Sequence, residues 1–318
     1  MIWRRLMLAV PGLEQLPNHV LDRVGRIARG LDAHVELFHC LYEPEAVQGS
    51  SRERASDIIA ERVEERRRRL ERLADVLREQ GLRVGVSVRW DYPAYEAIIR
   101  HALRHEPDLL IIPAIRLDET LRALAYREAR LIEASPAPVM FLKTREIYSG
   151  RCIVAAVPQS SGEAGDLDER ILGTARTMAH ALAESPVHVF GVIPAERHAC
   201  GAARAAGDAT RSGPEEQSLA AIEVEARIRR LALRHDVSSH DVHVESGEPV
   251  AALVAYARRL RTQMIVLGIG CGVPSADAAN HLAQRVLDGI QCDLVVVKPP
   301  APPVAVDIES APALPHPA

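Results

Sequence analysis

The 318-residue chain is predicted to fold as α/β, in two tandem doubly wound domains that each carry a five-stranded parallel sheet. Three observations predict this. Its only two lysines, Lys143 and Lys298, stand 155 residues apart, and each closes an apolar strand, in Ala137-Pro-Val-Met-Phe-Leu-Lys143 and Cys292-Asp-Leu-Val-Val-Val-Lys298. Pro93 and Pro249, 156 residues apart, each follow a strand and a turn and open a helix. Self-similarity at one period means one structural unit written twice, so any site must be sought twice. Third, 47% of the residues are apolar but only 3% aromatic, so the cores are filled by Val, Leu, Ile and Ala, as helices layered on a buried parallel sheet require. The length agrees with two domains of roughly 100 to 200 residues.

In the first half a strand near Arg5 to Val10 precedes a helix near Asn18 to Gly30, with Val20, Leu21, Val24, Ile27 and Ala28 at helical spacing. Strand two is Ala33 to Cys40. A long charged helix, about Ser51 to Gln80, carries Ile58, Ile59, Val63, Leu70, Leu73, Ala74 and Leu77 on one stripe, and Gly81 is placed to stop it. Strand three is Leu82 to Trp90. Helix three, Pro93 to His105, starts on a proline whose missing N–H costs nothing in a first turn. Strand four (Asp108 to Ile112), helix four (Asp118 to Ala134) and strand five (Val139 to Leu142) complete the unit.

The second half repeats the order. Strands are expected at 152–157, 187–192, 241–245, 264–267 and 294–297, with helices at 168–183, 215–235, 249–260 and 276–290. Strands separated by helix-length segments imply right-handed crossovers and a parallel sheet. The Gly/Ala segment Arg197 to Pro214 reads as a flexible loop. The domains are therefore residues 1–147 and 148–299, and 300–318 is a Pro/Ala-rich tail expected to be disordered.

Composition excludes several functions. A net charge near −4 and a pI near 6.4 leave no overall basic surface for a phosphate backbone, so no nucleic-acid partner is expected. Cys40, Cys152, Cys200, Cys271 and Cys292 form no C-x-x-C pair and no zinc-ribbon spacing, which argues against a disulfide framework or structural metal and for the cytoplasm. Apolar runs fall well short of the roughly 20 residues needed to span a bilayer, so no membrane partner is expected. The stretch Met1 to Pro11 reads as a first strand rather than a signal peptide.

The turn Ser246-Gly-Glu-Pro249 and the stretch Met264-Ile-Val-Leu-Gly-Ile-Gly-Cys-Gly272, followed by a helix and Cys292-Asp-Leu-Val-Val-Val-Lys-Pro299, resemble the universal stress proteins. Trp90, Pro93, Glu96-Ala-Ile-Ile99, Asp108-Leu-Leu-Ile-Ile112 and Ser135-Pro-Ala-Pro-Val-Met-Phe-Leu-Lys143 carry the same resemblance in the first half. It covers roughly residues 4 to 299 and points to the tandem type, within the wider adenine-nucleotide α-hydrolase-like class. It implies a strand order of 3-2-1-4-5 in each half, with ATP held in nucleotide-binding members at the carboxyl ends of strands one and four. Physically, that is where the strand order reverses and opens a crevice, and where a glycine-rich turn before a helix offers N–H groups to phosphates.

The resemblance implies an ATP pattern of glycine, two residues, glycine, nine residues, then glycine with Ser or Thr. In the second half Gly268 fits the first position, Cys271 stands at the second with Gly270 and Gly272 beside it, and with one residue deleted the last two become Asn280 and His281. Asparagine brings a Cβ to a place of close phosphate approach, and His281 offers no small hydroxyl. In the first half Ile111-Ile-Pro113-Ala-Ile-Arg-Leu-Asp118 has no glycine, and proline lacks an N–H. Pro11 and Pro158 replace the aspartate that ends strand one in ATP-binding relatives. Both sites read as degenerate, with ATP in the second half as the alternative.

Other chemistry finds little support. Neither lysine follows a glycine, so there is no Walker A loop, and no G-x-S-x-G elbow occurs; Ser160 and Ser161 have no evident base. His235, His240, His243 and Glu245 lie close together, yet strand periodicity sends His240 and His243 to opposite faces, so no metal is expected. His34 and His39 read as edge or interface residues. Cys271 is the one thiol whose setting could lower its pKa. The expectation is a non-enzymatic protein of the stress response that binds a ligand or partner. Its apolar fifth strands would meet in an internal pseudo-dimer, with a further homodimer left open, because unpaired edges invite aggregation.

Overall fold

The computed structural model describes residues 3–12, 16–114, 121–144, 146, 148–158, 165–193, 214–269 and 276–299, with backbone alone for 121–127, 165, 214–221 and 276–280. The expected loop up to residue 213, the tail, Ser160, Ser161, Cys200 and Cys271 fall outside them.

The first half runs β1 (Arg5–Ala9), α1 (Asn18–Leu31), β2 (His34–Leu41), α2 (Arg52–Arg78), β3 (Val84–Trp90), α3 (Ala94–His105), β4 (Leu109–Pro113), α4 (Leu121–Ala134) and β5 (Val139–Leu142). The second runs β6 (Ile153–Val157), α5 (Gly165–Ala181), β7 (Val187–Ile193), α6 (Pro214–Arg234), β8 (Val242–Ser246), α7 (Pro249–Leu260), β9 (Met264–Gly268), α8 (Ala276–Gly289) and β10 (Asp293–Val297).

Local chemistry sets the ends. Ser51 caps α2 by accepting from Arg54 N at 3.3 Å, and Gly81 takes φ +82° just beyond its far end. Glu248 caps α7 by accepting from Ala251 N at 2.7 Å, with Pro249 in the first turn. Pro93 differs from its counterpart. It is the N-cap of α3, in extended backbone, and the helix starts at Ala94.

All ten strands form one sheet in the order β3-β2-β1-β4-β5-β10-β9-β6-β7-β8. Each half is thus 3-2-1-4-5 with parallel neighbours; Leu8 of β1, for example, stands between Leu37 and Ile111. At the centre β5 and β10 pair antiparallel, Phe141 opposite Leu294, Met140 opposite Val295 and Val139 opposite Val296. Two strands that would otherwise expose unpaired N–H and C=O groups satisfy each other. β6, β9 and β10 are buried along their whole length, as strands covered on both faces must be.

Both cores run across the junction. On one face Val24, Ile27 and Ala28 of α1 belong to the same apolar cluster as Leu172, Ala175 and Ala179 of α5. On the other, α4 packs on α8. The α1–α5 crossing is so close that a Cβ on Gly30 would overlap the backbone of Ala181.

Polar groups reinforce the seam. Arg23 of α1 is 1% exposed, and its guanidinium pairs with Asp293 of β10, donates to Thr144 O and lies 4.4 Å from the centre of the Tyr148 ring. Asp293, wholly buried, also accepts from Tyr148 OH at 2.6 Å and Lys143 N at 2.8 Å. The two lysines that mark the repeat reach across in opposite directions. Lys143 Nζ donates to Leu287 O of α8, while Lys298 Nζ donates to Glu133 O of α4 at 2.6 Å and to Ser135 O at 3.0 Å. Each places a cation at the negative end of the other half's helix.

Candidate functional site

The crevice of an open parallel sheet lies where strand order reverses, here between β1 and β4 and between β6 and β9. Gly268 ends β9 and is buried, but its freedom from a Cβ serves packing: a Cβ there would overlap Ile171 Cδ1 of α5 and lie 3.4 Å from Leu167 Cδ2. Ile269 follows, also buried, its N–H donating to Val297 O at 2.9 Å. Gly270 and Gly272 lie outside the described residues. Asn280 and His281 fall in α8, where His281 is exposed and the Asn280 side chain is not described.

Across from Gly268, β6 gives way to Pro158, whose carbonyl accepts from Arg227 Nη2 of α6 at 2.9 Å. The other end of that guanidinium pairs with Asp168 in the first turn of α5. Burial raises the Asp168 carboxyl although Arg227 opposes it. This Arg–Asp pair spans the carboxyl end of β6, where an aspartate would hold a nucleoside in ATP-binding relatives.

In the first half β1 ends next to His39, whose Nδ1 lies 2.8 Å from Val10 O. Burial pulls this imidazole below its usual pKa, so the ring is neutral near pH 7 and donates from Nδ1. β2 is internal to the sheet, between β1 and β3, so His34 and His39 are not edge residues as expected. Pro113 closes β4, and the next N–H, of Ala114, is already given to Leu142 O at 2.9 Å. Of the chain beyond, 115–118 lies outside the described residues.

His235, His240 and His243 do not converge. His240 sits in a single 3-10 turn, Ser239–Asp241, ahead of β8, so only His243 is on the strand, and His235 pairs with Glu169 at 2.5 Å. Cys40 and Cys292 are free thiols pushed up to about 12 by burial, which makes them poor nucleophiles.

One constellation escaped the sequence reading. Glu36 of β2 meets His101 and His105, one turn apart on α3. Glu36 Oε1 is 2.7 Å from His101 Nε2, Glu36 Oε2 is 3.8 Å from His105 Nδ1, and the two rings stack with centroids 4.0 Å apart. Ser87 Oγ donates to Glu36 Oε1 at 2.7 Å, and Phe38 stacks on His101 at 4.3 Å. Burial alone would raise the Glu36 carboxyl, but hydrogen bonds to His101 and Ser87 prevail and hold it down at about 2. The i, i+4 histidine pair was visible in the sequence; Glu36, 65 residues earlier, was not tied to it.

Comparison with known proteins bears on family. The sequence profile of the universal stress protein family matches residues 3–143. The first half is a universal stress protein domain. Universal stress protein E of Salmonella typhi is 26% identical over 228 residues, 70% of this chain and 70% of that protein. The protein of the same name from Escherichia coli (strain K12) is 26% identical over 226 residues, 69% of each. Among solved structures, a universal stress protein from Archaeoglobus fulgidus DSM 4304 superposes with a TM-score of 0.62 at 15% identity, covering 92% of this chain and 96% of that one. A functionally unknown protein from Pseudomonas aeruginosa PAO1 superposes with a TM-score of 0.65 at 22% identity, covering 94% and 93%. The second half, with the same strand order, completes the tandem universal stress protein fold. No helix among the described residues is long and apolar enough to cross a membrane.

Proposed function

We propose that the chain serves the stress response as a cytoplasmic, non-enzymatic binding module that engages a ligand or protein partner and holds no ATP in either crevice. The observation that carries this is the second-half crevice, the better preserved of the two. There Ile171 fills the space a Cβ on Gly268 would take, and the Arg227–Asp168 pair lies over Pro158. In the first half Pro11 and Pro113 stand where a carboxylate and an N–H would be used. We read the joined sheet as an internal pseudo-dimer in which each half covers the other's edge strand.

A cleft of ≈ 370 Å³ opens away from both crevices, at the amino ends of β9 and β10, lined in part by Arg151, Arg258, Arg261, Thr262 and Gln263. Glu146 also lines it and pairs with Arg151 at 2.8 Å, which leaves Arg258 and Arg261 to suit an anionic ligand. The second reading, an ATP sensor using Gly268, Gly270 and Gly272, is favoured by the strand reversal between β6 and β9. Equilibrium dialysis of the whole protein with ATP and Mg²⁺ tests the two. Weak binding, with a Kd above about 1 mM, is expected; a Kd below about 0.1 mM, roughly −5.5 kcal/mol, would establish a working nucleotide site.

A further inference from the structure

We propose that Glu36, His101 and His105 form a binding site for a divalent transition metal of the zinc class, in the first half only. The three side chains offer one ligand atom each, all within 4.8 Å of one another. Two imidazole nitrogens and a carboxylate oxygen are the donor set such ions take, with bonds of about 2.0–2.2 Å and a fourth position left to solvent or ligand. Ligand atoms of a tetrahedral site then stand about 3.3 Å apart. The Glu36–His101 contact opens slightly from 2.7 Å to admit the ion, and the Glu36–His105 contact closes from 3.8 Å.

The parts that must stay fixed are held on several sides, whereas the part that must move is held mainly by the stacking of its ring on His101. His101 is 2% exposed and clamped against Phe38; Glu36 is 17% exposed and fixed by Ser87 Oγ. His105 is 45% exposed, so its ring can swing and leave a side open to solvent. An outer hydrogen bond such as that from Ser87 is what orients a ligating carboxylate. His101 Nδ1 is buried without a partner, so nothing but Glu36 decides which ring nitrogen carries the proton. When Nε2 takes the metal, that proton moves to Nδ1.

The second half supplies an internal control at the same place. Phe190 of β7 stacks on Tyr256 of α7 at 4.6 Å, as Phe38 stacks on His101, and His243 faces Phe190 in register as Ser87 faces Phe38. His188, two residues before Phe190, therefore matches Glu36. Here tyrosine replaces the buried histidine, and the nearby carboxylate, Asp241, is 3.8 Å from His188 Nε2. That position lacks the clustered donor set.

The test is titration of the full chain with Zn²⁺ by calorimetry and with Co²⁺ by visible absorption. The wild type should take up one equivalent of metal well below the millimolar range and develop the d–d bands of a four-coordinate Co²⁺ site. His105→Ala, at an exposed position that leaves the fold intact, should weaken binding at least about tenfold and abolish the bands, while His243→Ala should change neither. Absence of binding to wild type at 1 mM metal, or equal affinity in His105→Ala, overturns the site.

Discussion

Replacing Asp293 with asparagine should destabilise the whole molecule, because this buried carboxylate neutralises an arginine from the opposite half. Asparagine has the same shape, and its Oδ1 can still accept from Lys143 N and Thr144 N, which donate to Asp293 Oδ1 at 2.8 and 3.3 Å. The charge is what disappears. Arg23, 1% exposed, is left with Thr144 O and the face of Tyr148, and Tyr148 OH loses its anionic acceptor. Removing one partner of a buried pair costs about 3–5 kcal/mol, mostly because the other charge stays in a medium of low polarity. Urea unfolding at pH 7 and 25 °C of wild type, Asp293→Asn, Arg23→Met and the double variant measures it. The double variant removes both charges, so it should be more stable than the sum of the single losses predicts, by about 2 kcal/mol or more. A loss below about 1 kcal/mol in Asp293→Asn, or additivity within about 0.5 kcal/mol, would show that the pair does not hold the seam.

Gly30→Ala should lower stability by about 1–3 kcal/mol, against the gain that alanine usually brings to a helix, because its Cβ meets the backbone of Ala181. Gly173→Ala in α5, with open space around the new Cβ, should instead raise stability by about 0.5–1 kcal/mol; thermal melts giving both changes the same sign would refute the packing account. Lys298 is lowered by burial from an ordinary 10.5 to about 8. Between those values the unfolded chain holds a proton that the folded one has released, so stability rises with pH across that window and the burial penalty is at its full size below it. Relative to Lys298→Met, the wild type should gain stability from pH 8 toward pH 10; a flat or falling difference would refute it.

Much of the fold was legible because its signals are local. The apolar stripe Val20, Leu21, Val24, Ile27 and Ala28 becomes the buried face of α1, and the run Val139 to Leu142 becomes β5 without a change of boundary. Strand and helix ends moved by a residue or a few, as with Pro93, which caps α3 instead of entering it. The site was harder to read. Gly268 looked like part of a phosphate loop, yet the atom decisive for it is a methyl of Ile171, nearly a hundred residues away. His101 and His105 went unremarked because the carboxylate between them belongs to a strand, and nothing in their own neighbourhood announces Glu36.

Periodicity, duplication and turn chemistry alone determined the number of units, their α/β character and the two apolar strands in need of cover. Only the tertiary structure decided that those strands pair antiparallel, that each lysine reaches the helix of the other half, and that Arg23 meets Asp293 and Glu36 meets His101. The reason is physical. Burial patterns are written at intervals of two to four residues, whereas partners far apart in the chain are set by strand register and helix crossing, which the whole core fixes at once.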